Sequence, residues 1–350
     1  IGTAPKGAPY AVVPTLSLNF SQGARFTPEY VNAAARLKAP TTVFADTHYI
    51  DDWLDRAWFA TDEFDAAAKA VAASGGELAS HSVAHSPVFN RLAMGTGAER
   101  YPDYRPFVAS RTKTTGASIM GELRVSRELL QGYQRSVHSF RSGYLLVPRG
   151  LPQAQDAAGY RFDSSSTQGW VAGAFPFQVP RLDGRGYADV TTFPVVFEDA
   201  ARGDLKGRIT RAAELVRRNG DNGAPSVLLY YPRDTDALPD ALPSWREVLS
   251  LPRRDGAWVG TLADFGEFWR DRQRVALVTS PSSVCRGGRR IEVSNLTGTA
   301  IGGLALDLPR TSGLAVLRAG GYAAKRNAHG KVVLPTVPAR GVVAGDLCAG

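Results

Sequence analysis

Two histidines four residues apart, His81 and His85, stand in the run Glu77-Leu-Ala-Ser-His-Ser-Val-Ala-His85-Ser. On a helical turn that spacing brings both imidazoles to one side, where they can share a divalent metal ion. The same pair can equally be two polar surface histidines. Two features favour the metal: they belong to a set of only five histidines, and they follow a predicted strand in an α/β alternation, where strand ends carry the chemistry. Candidate partners lie one strand away. Alternation turns Asp46 the same way as Thr42 and Phe44, and His48 follows it. Either would make a third protein ligand and leave an open position, as catalytic zinc requires; otherwise Asp46 caps a turn and His48 lies on the surface. Asp163 is a further candidate carboxylate, with a turn or cap as its alternative role. Tyr144, Trp170 and Tyr231 can stack on a ligand or simply pack.

The elements that would position these residues alternate. Strands are expected over 10–20, 40–46, 77–80, 137–141, 160–163 and 225–231, and helices over 27–38, 62–74, 119–131, 150–158, 204–219, 244–251 and 261–273. Thr27, followed by Pro28, reads as the cap of the first helix. Residues 86–118 lack a clear period and read as a long surface insertion able to shape a substrate groove. The stretch between 163 and 204 reads as looped. From residue 276 onwards, short apolar segments separated by Gly, Pro and Ser predict a small antiparallel sandwich. The expected organisation is a parallel α/β domain over 1–275 and an all-β module over 276–350.

A hydrophobic fraction of 44% and a charged fraction of 21% suit a folded globular chain. The net charge of +8 is spread along the sequence without a basic run, so no nucleic-acid partner is expected. No apolar stretch is long enough to span a bilayer. Cys285 and Cys348 are the only cysteines. They suit a single disulfide in an oxidising compartment, which points to the periplasm or the exterior; two buried thiols are the alternative. The oligomeric state is not legible.

The histidine run resembles the second motif of the NodB-type polysaccharide deacetylases, carbohydrate esterase family 4. Leu18-Asn-Phe-Ser21-Gln22-Gly lies where that family has its aspartate pair, and Thr42-Val-Phe44 falls where it has T-F-F. Ser139-Phe-Arg141-Ser-Gly-Tyr144 resembles the third motif and Gly159-Tyr-Arg-Phe-Asp163 the fourth. Tyr231, or Tyr230 if the alignment slips by one, stands at the fifth-motif histidine. The resemblance spans roughly Pro9 to Arg270. It implies a distorted (β/α) barrel and metal-assisted removal of acetyl groups from a polysaccharide. Zinc would be held by His81, His85 and the residue at position 22, with Arg141 orienting a base and Asp163 tuning an acid.

The sequence departs from that pattern where the chemistry is densest. Ser21 cannot accept a proton near neutral pH, Gln22 is a weaker ligand than a carboxylate, and a tyrosine replaces the acid. Ser21 and Gln22 are either native or introduced replacements. Two readings follow: a metal-dependent deacetylase of an N- or O-acetylated exopolysaccharide with rearranged or impaired machinery, or a non-catalytic homologue that binds carbohydrate.

Overall fold

The computed structural model describes residues 1–171, 173–309 and 312–349, with the backbone alone at Trp170 and Val171. Its centre is a ten-stranded, mostly parallel sheet. Strand β1 (Ala11–Leu18) is buried along its whole length, so it reads as an unbroken apolar run rather than an alternating one. On one side it pairs in parallel with Ser226–Tyr230, which pairs with Val195–Glu198. On the other side come β2 (Thr42–Ala45) and β3 (Glu77–Ser80), then Ser139–Phe140, Phe162–Asp163 and Tyr187–Thr192. Phe177–Pro180 adds the one antiparallel edge. A bridge between Thr167 and Val195 draws the curled sheet towards closure, so the architecture is a distorted (β/α) barrel.

Two expectations need correction. The region between 163 and 204 is not a loop: it holds three strands, Phe177–Pro180, Tyr187–Thr192 and Val195–Glu198. Pro180, Gly184 and Gly186 punctuate it heavily enough to hide the alternation that buries Ala188 and Val190. The first helix, α1 (Ser21–Arg36), begins six residues ahead of the expected cap. Its start is fixed from outside the local sequence, by the Asp55 carboxylate accepting the Ser21 N–H at 2.6 Å. Thr27 instead donates its hydroxyl to the Gly23 carbonyl within the helix. The expected insertion at 86–118 carries a small hairpin, Phe107–Ser110 with Lys113–Thr115.

Helix α2 (Asp62–Ala73) is capped by Thr61, whose oxygen accepts the Phe64 N–H, and it packs beside α1 on the outer face of the sheet. The C-terminal segment forms a five-stranded antiparallel sheet from Val275–Pro281 to Val342–Ala349, with a two-stranded ribbon of Ala305–Asp307 and Lys331–Val333 beside it. Cys285 and Cys348 are joined by a disulfide, their Cα atoms 5.8 Å apart. The first seven residues lean on this ribbon: Gly2 N–H donates to the Ala305 carbonyl and Lys6 N–H to the Gly303 carbonyl. No helix among the described residues is long and apolar enough to cross a membrane.

Candidate functional site

His81 and His85 follow β3, but not on a helical turn as the spacing suggested. Residues 81–86 are an irregular loop in which Ser82 and His85 take φ values of +74° and +46°. Such angles are costly for residues with a Cβ. The loop is held by Glu122 from helix Ile119–Leu130, whose Oε2 accepts both the Val83 and Ala84 N–H groups at 2.9 Å. Ser82 Oγ accepts the His85 N–H. This brace brings the two rings together, with centroids 4.8 Å apart in an edge-on arrangement.

Both rings are buried yet line one cavity of about 910 Å³ at the C-terminal ends of the strands. His81 Nδ1 lies 2.7 Å from the Arg141 carbonyl. A carbonyl can only accept, so Nδ1 carries the proton and Nε2 keeps a bare lone pair. Neither nitrogen of His85 has a partner. Burial pushes both imidazoles down, His81 well below the ordinary histidine range and His85 to about 4; after burial, His85 depresses His81 and His48 depresses His85. Both are therefore neutral at pH 7.

Arg141 forms the floor. Its side chain is fully buried, with Phe44 against its face at 4.1 Å. Nε donates to the Ser164 carbonyl, Nη2 to Ser164 Oγ, and Nη1 to Thr15 Oγ1 and Ser17 Oγ. All four acceptors are neutral. Burial pushes the guanidinium down to about 9, so it stays charged at neutral pH.

The other candidates separate into those the cavity gathers and those it does not. Tyr144, half exposed at φ +56°, lies over His85 with ring centroids 4.7 Å apart. Tyr231 faces the cavity and donates its hydroxyl to Glu198 Oε1 at 2.7 Å, whereas Tyr230 packs into the core against Trp245; the fifth-motif position is therefore 231. Gln22 is exposed at the mouth, on the first turn of α1. The side chain of Trp170 lies outside the described residues.

Asp46, His48 and Asp163 are not among the residues lining the cavity. Asp46 is buried behind it with Oδ1 unpartnered; burial and then Asp55, Glu122 and Asp52 hold its carboxyl well above the usual range. His48 turns inward to stack on Trp58, with Nε2 3.5 Å from Asp52 Oδ2. Its backbone carbonyl closes the loop by accepting the Trp58 and Phe59 N–H groups. Asp163 locks a turn, with Oδ1 accepting from Gln155 Nε2 and Ser165 Oγ, both at 2.6 Å.

Sequence reasoning missed Asp55 and Glu198, both on the cavity wall. Asp55 accepts the Ser21 N–H at 2.6 Å and the Ser21 hydroxyl at 3.1 Å. A carboxylate thus sits beside position 21, supplied from 34 residues further along the chain. No local motif signals such a pairing. A helix N-terminus favours a carboxylate there whichever residue brings it.

A catalytic zinc ion needs three protein ligands. His81 Nε2 and His85 are suitable donors, but among the described residues no three His, Cys, Asp or Glu side chains converge on one point. The donor set does not fit the expected zinc site. Asn295, in a glycosylation-like triplet, is also closed to modification: its buried Nδ2 donates to the Thr299, Val337 and Pro338 carbonyls.

The polysaccharide deacetylase family profile matches residues 12–162. No curated protein matches the chain. Among solved structures, a Mycobacterium smegmatis protein assigned to the polysaccharide deacetylases is 15% identical with a TM-score of 0.55, covering 78% of this chain and 96% of that one. A Pseudomonas aeruginosa PAO1 protein with the same assignment is 13% identical with a TM-score of 0.53, covering 75% and 91%. Puue allantoinase is 11% identical with a TM-score of 0.50, covering 75% and 91%. At these identities the likeness is one of fold.

Proposed function

We propose that this chain, which belongs to the polysaccharide deacetylase superfamily through residues 12–162, uses its cavity to bind carbohydrate without the family's metal-dependent hydrolysis. One observation carries the reading. The two histidines converge with no third ligand among the described residues, while the cavity around them stays open and aromatic-rimmed. Phe20 and Tyr144 are 40% and 49% exposed at its mouth, and exposed rings beside fixed polar groups suit the faces and hydroxyls of sugars.

Hydrolysis by the family route needs a base, an anionic ligand and an acid. Ser21 and Gln22 bring no carboxylate, and Asp163 is committed to its turn. Tyr231 is tied to Glu198, its phenol raised far above neutral by burial and then by that carboxylate. It cannot exchange a proton at neutral pH as a histidine would.

Asp55 favours a second reading, slow hydrolysis of an acetyl ester. Its carboxylate lines the same cavity as His81 and His85 and could take a proton from an attacking water. Calorimetric titration with an oligosaccharide, beside an acetate-release assay on its acetylated form, separates the two. The binding reading expects affinity that survives EDTA and no acetate release. Release that Asp55→Asn abolishes establishes the second reading, and binding lost on chelation overturns the first.

A further inference from the structure

Arg141 is a fully buried guanidinium without a carboxylate partner. The carboxylates that act on it, Asp163 and Glu198, do so from beyond ion-pair distance, and each spends an oxygen elsewhere: Asp163 on Gln155 and Ser165, Glu198 on Tyr231. A buried charge answered only by neutral oxygens is expensive. Four of its bonds are made, which leaves one Nη2 N–H uncommitted.

Two more unmet donors line the same cavity. Ser142 Oγ is buried without a partner, and so are both nitrogens of His85, one of which carries a proton in the neutral ring. The rim does not set the sign of the charge, since Arg202 and Arg233 face Asp55, Glu198 and Asp234 there. The floor does: it presents a cation and donors, with His81 Nε2 and the unprotonated nitrogen of His85 as bare acceptors beside them.

We propose that the cavity is selective for an acidic sugar, with the ring's anionic group received at the floor by Ser142, His85 and the Arg141 charge, and a neighbouring hydroxyl of the same ring donating to His81 Nε2. This rests on the carbohydrate-binding reading and names the class of glycan it takes. A neutral sugar could fill the donors only with hydroxyls, each of which brings a further proton needing its own acceptor. An acid group brings acceptors alone, together with the missing charge. The net charge of +8 draws polyanionic chains towards the protein as a whole.

The test is calorimetric titration of the intact chain with length-matched oligosaccharides: a uronic acid oligomer, a sulfated neutral oligomer and an N-acetylglucosamine oligomer. The acidic ligands should bind at least tenfold more tightly than the neutral one, and the ratio of uronate to sulfate identifies which anion the floor takes. Ser142→Ala should weaken the acidic ligands several-fold and the neutral one by less, so that the ratio of acidic to neutral affinity falls. Arg141→Gln should abolish the acidic preference and Arg141→Lys should keep part of it; if Arg141→Gln fails to fold, Ser142→Ala carries the test. Equal affinity for neutral and acidic oligomers, or an acidic preference untouched by Ser142→Ala, overturns the inference and leaves carbohydrate binding standing. Failure of all three oligomers to bind sinks both.

Discussion

Replacing His85 by asparagine tests whether the site is built around neutral, buried imidazoles. Asparagine tolerates the positive φ of +46° at this position, so the backbone change is small. In the native chain the imidazole titrates at about 4, against an ordinary value of 6.5. As pH falls, the unfolded chain takes up this proton first. The His85 contribution is therefore fully present above pH 6.5, and it is lost progressively between 6.5 and about 4. That interval of about 2.5 pH units, at about 1.4 kcal/mol per unit, corresponds to about 3 kcal/mol.

Other buried groups also respond to pH. His81 and His48 are lowered and act in the same direction as His85, whereas Asp46, Glu77, Glu122 and Asp163 are raised by burial and oppose it. A base lowered in the fold favours the folded state less in acid, and a carboxylate raised in the fold favours it more. These groups persist in both proteins, so the difference between wild type and His85→Asn reports the His85 ring together with the part of the His81 depression that it causes. Urea unfolding followed by circular dichroism at pH 7 and pH 4 should show the wild type losing about 3 kcal/mol more than the variant. Losses equal within 1 kcal/mol, or an NMR titration placing the His85 ring near 6.5, would refute the reasoning.

Asp55→Ala removes the external acceptor at the start of α1 and should cost about 1 kcal/mol, read from a urea midpoint shift. Combining Ser21→Asp and Gln22→Asp with Asp55→Ser should raise zinc binding above that of the unmodified chain, measured by metal analysis of both proteins. With Asp55 retained, Ser21→Asp sets two carboxylates against each other and the gain should shrink. Serine at both Cys285 and Cys348 removes a crosslink spanning 63 residues and should cost roughly 4 kcal/mol in the reversible unfolding of the C-terminal sheet.

What the sequence disclosed follows the range over which each structural cause acts. The strands β1, β2 and β3 and the helix Asp62–Ala73 are set by local apolar patterning and caps, and they lie where patterning places them. The start of α1 was misjudged because Thr27 and Pro28 imitate a cap, while the acceptor in use is a loop residue 34 positions away. The same loop decided against Asp46 and His48. Alternation says nothing of how deeply Asp46 is buried, nor of the loop closure through the His48 carbonyl or the stacking of its ring on Trp58. The spacing of His81 and His85 suggested a helical turn. The rings meet instead because a buried glutamate from a later helix grips the loop between them.

Position 21 shows why the loss of a motif residue is not the loss of its charge. A helix that starts at the cavity wall exposes N–H groups and favours a carboxylate there. In the deacetylase pattern an aspartate stands at this position; here Ser21 has none, and Asp55 brings a carboxylate to 3.1 Å from the serine hydroxyl. The two arrangements exclude each other, because aspartates at both positions would meet at hydrogen-bond distance without a proton between them. The charge beside position 21 thus comes from the loop, position 22 brings none, and no third carboxylate or imidazole joins His81 and His85 among the described residues. On the cavity floor Arg141 bonds only neutral oxygens, and that unpaired cation makes the charge of the proposed glycan the property on which selectivity should turn.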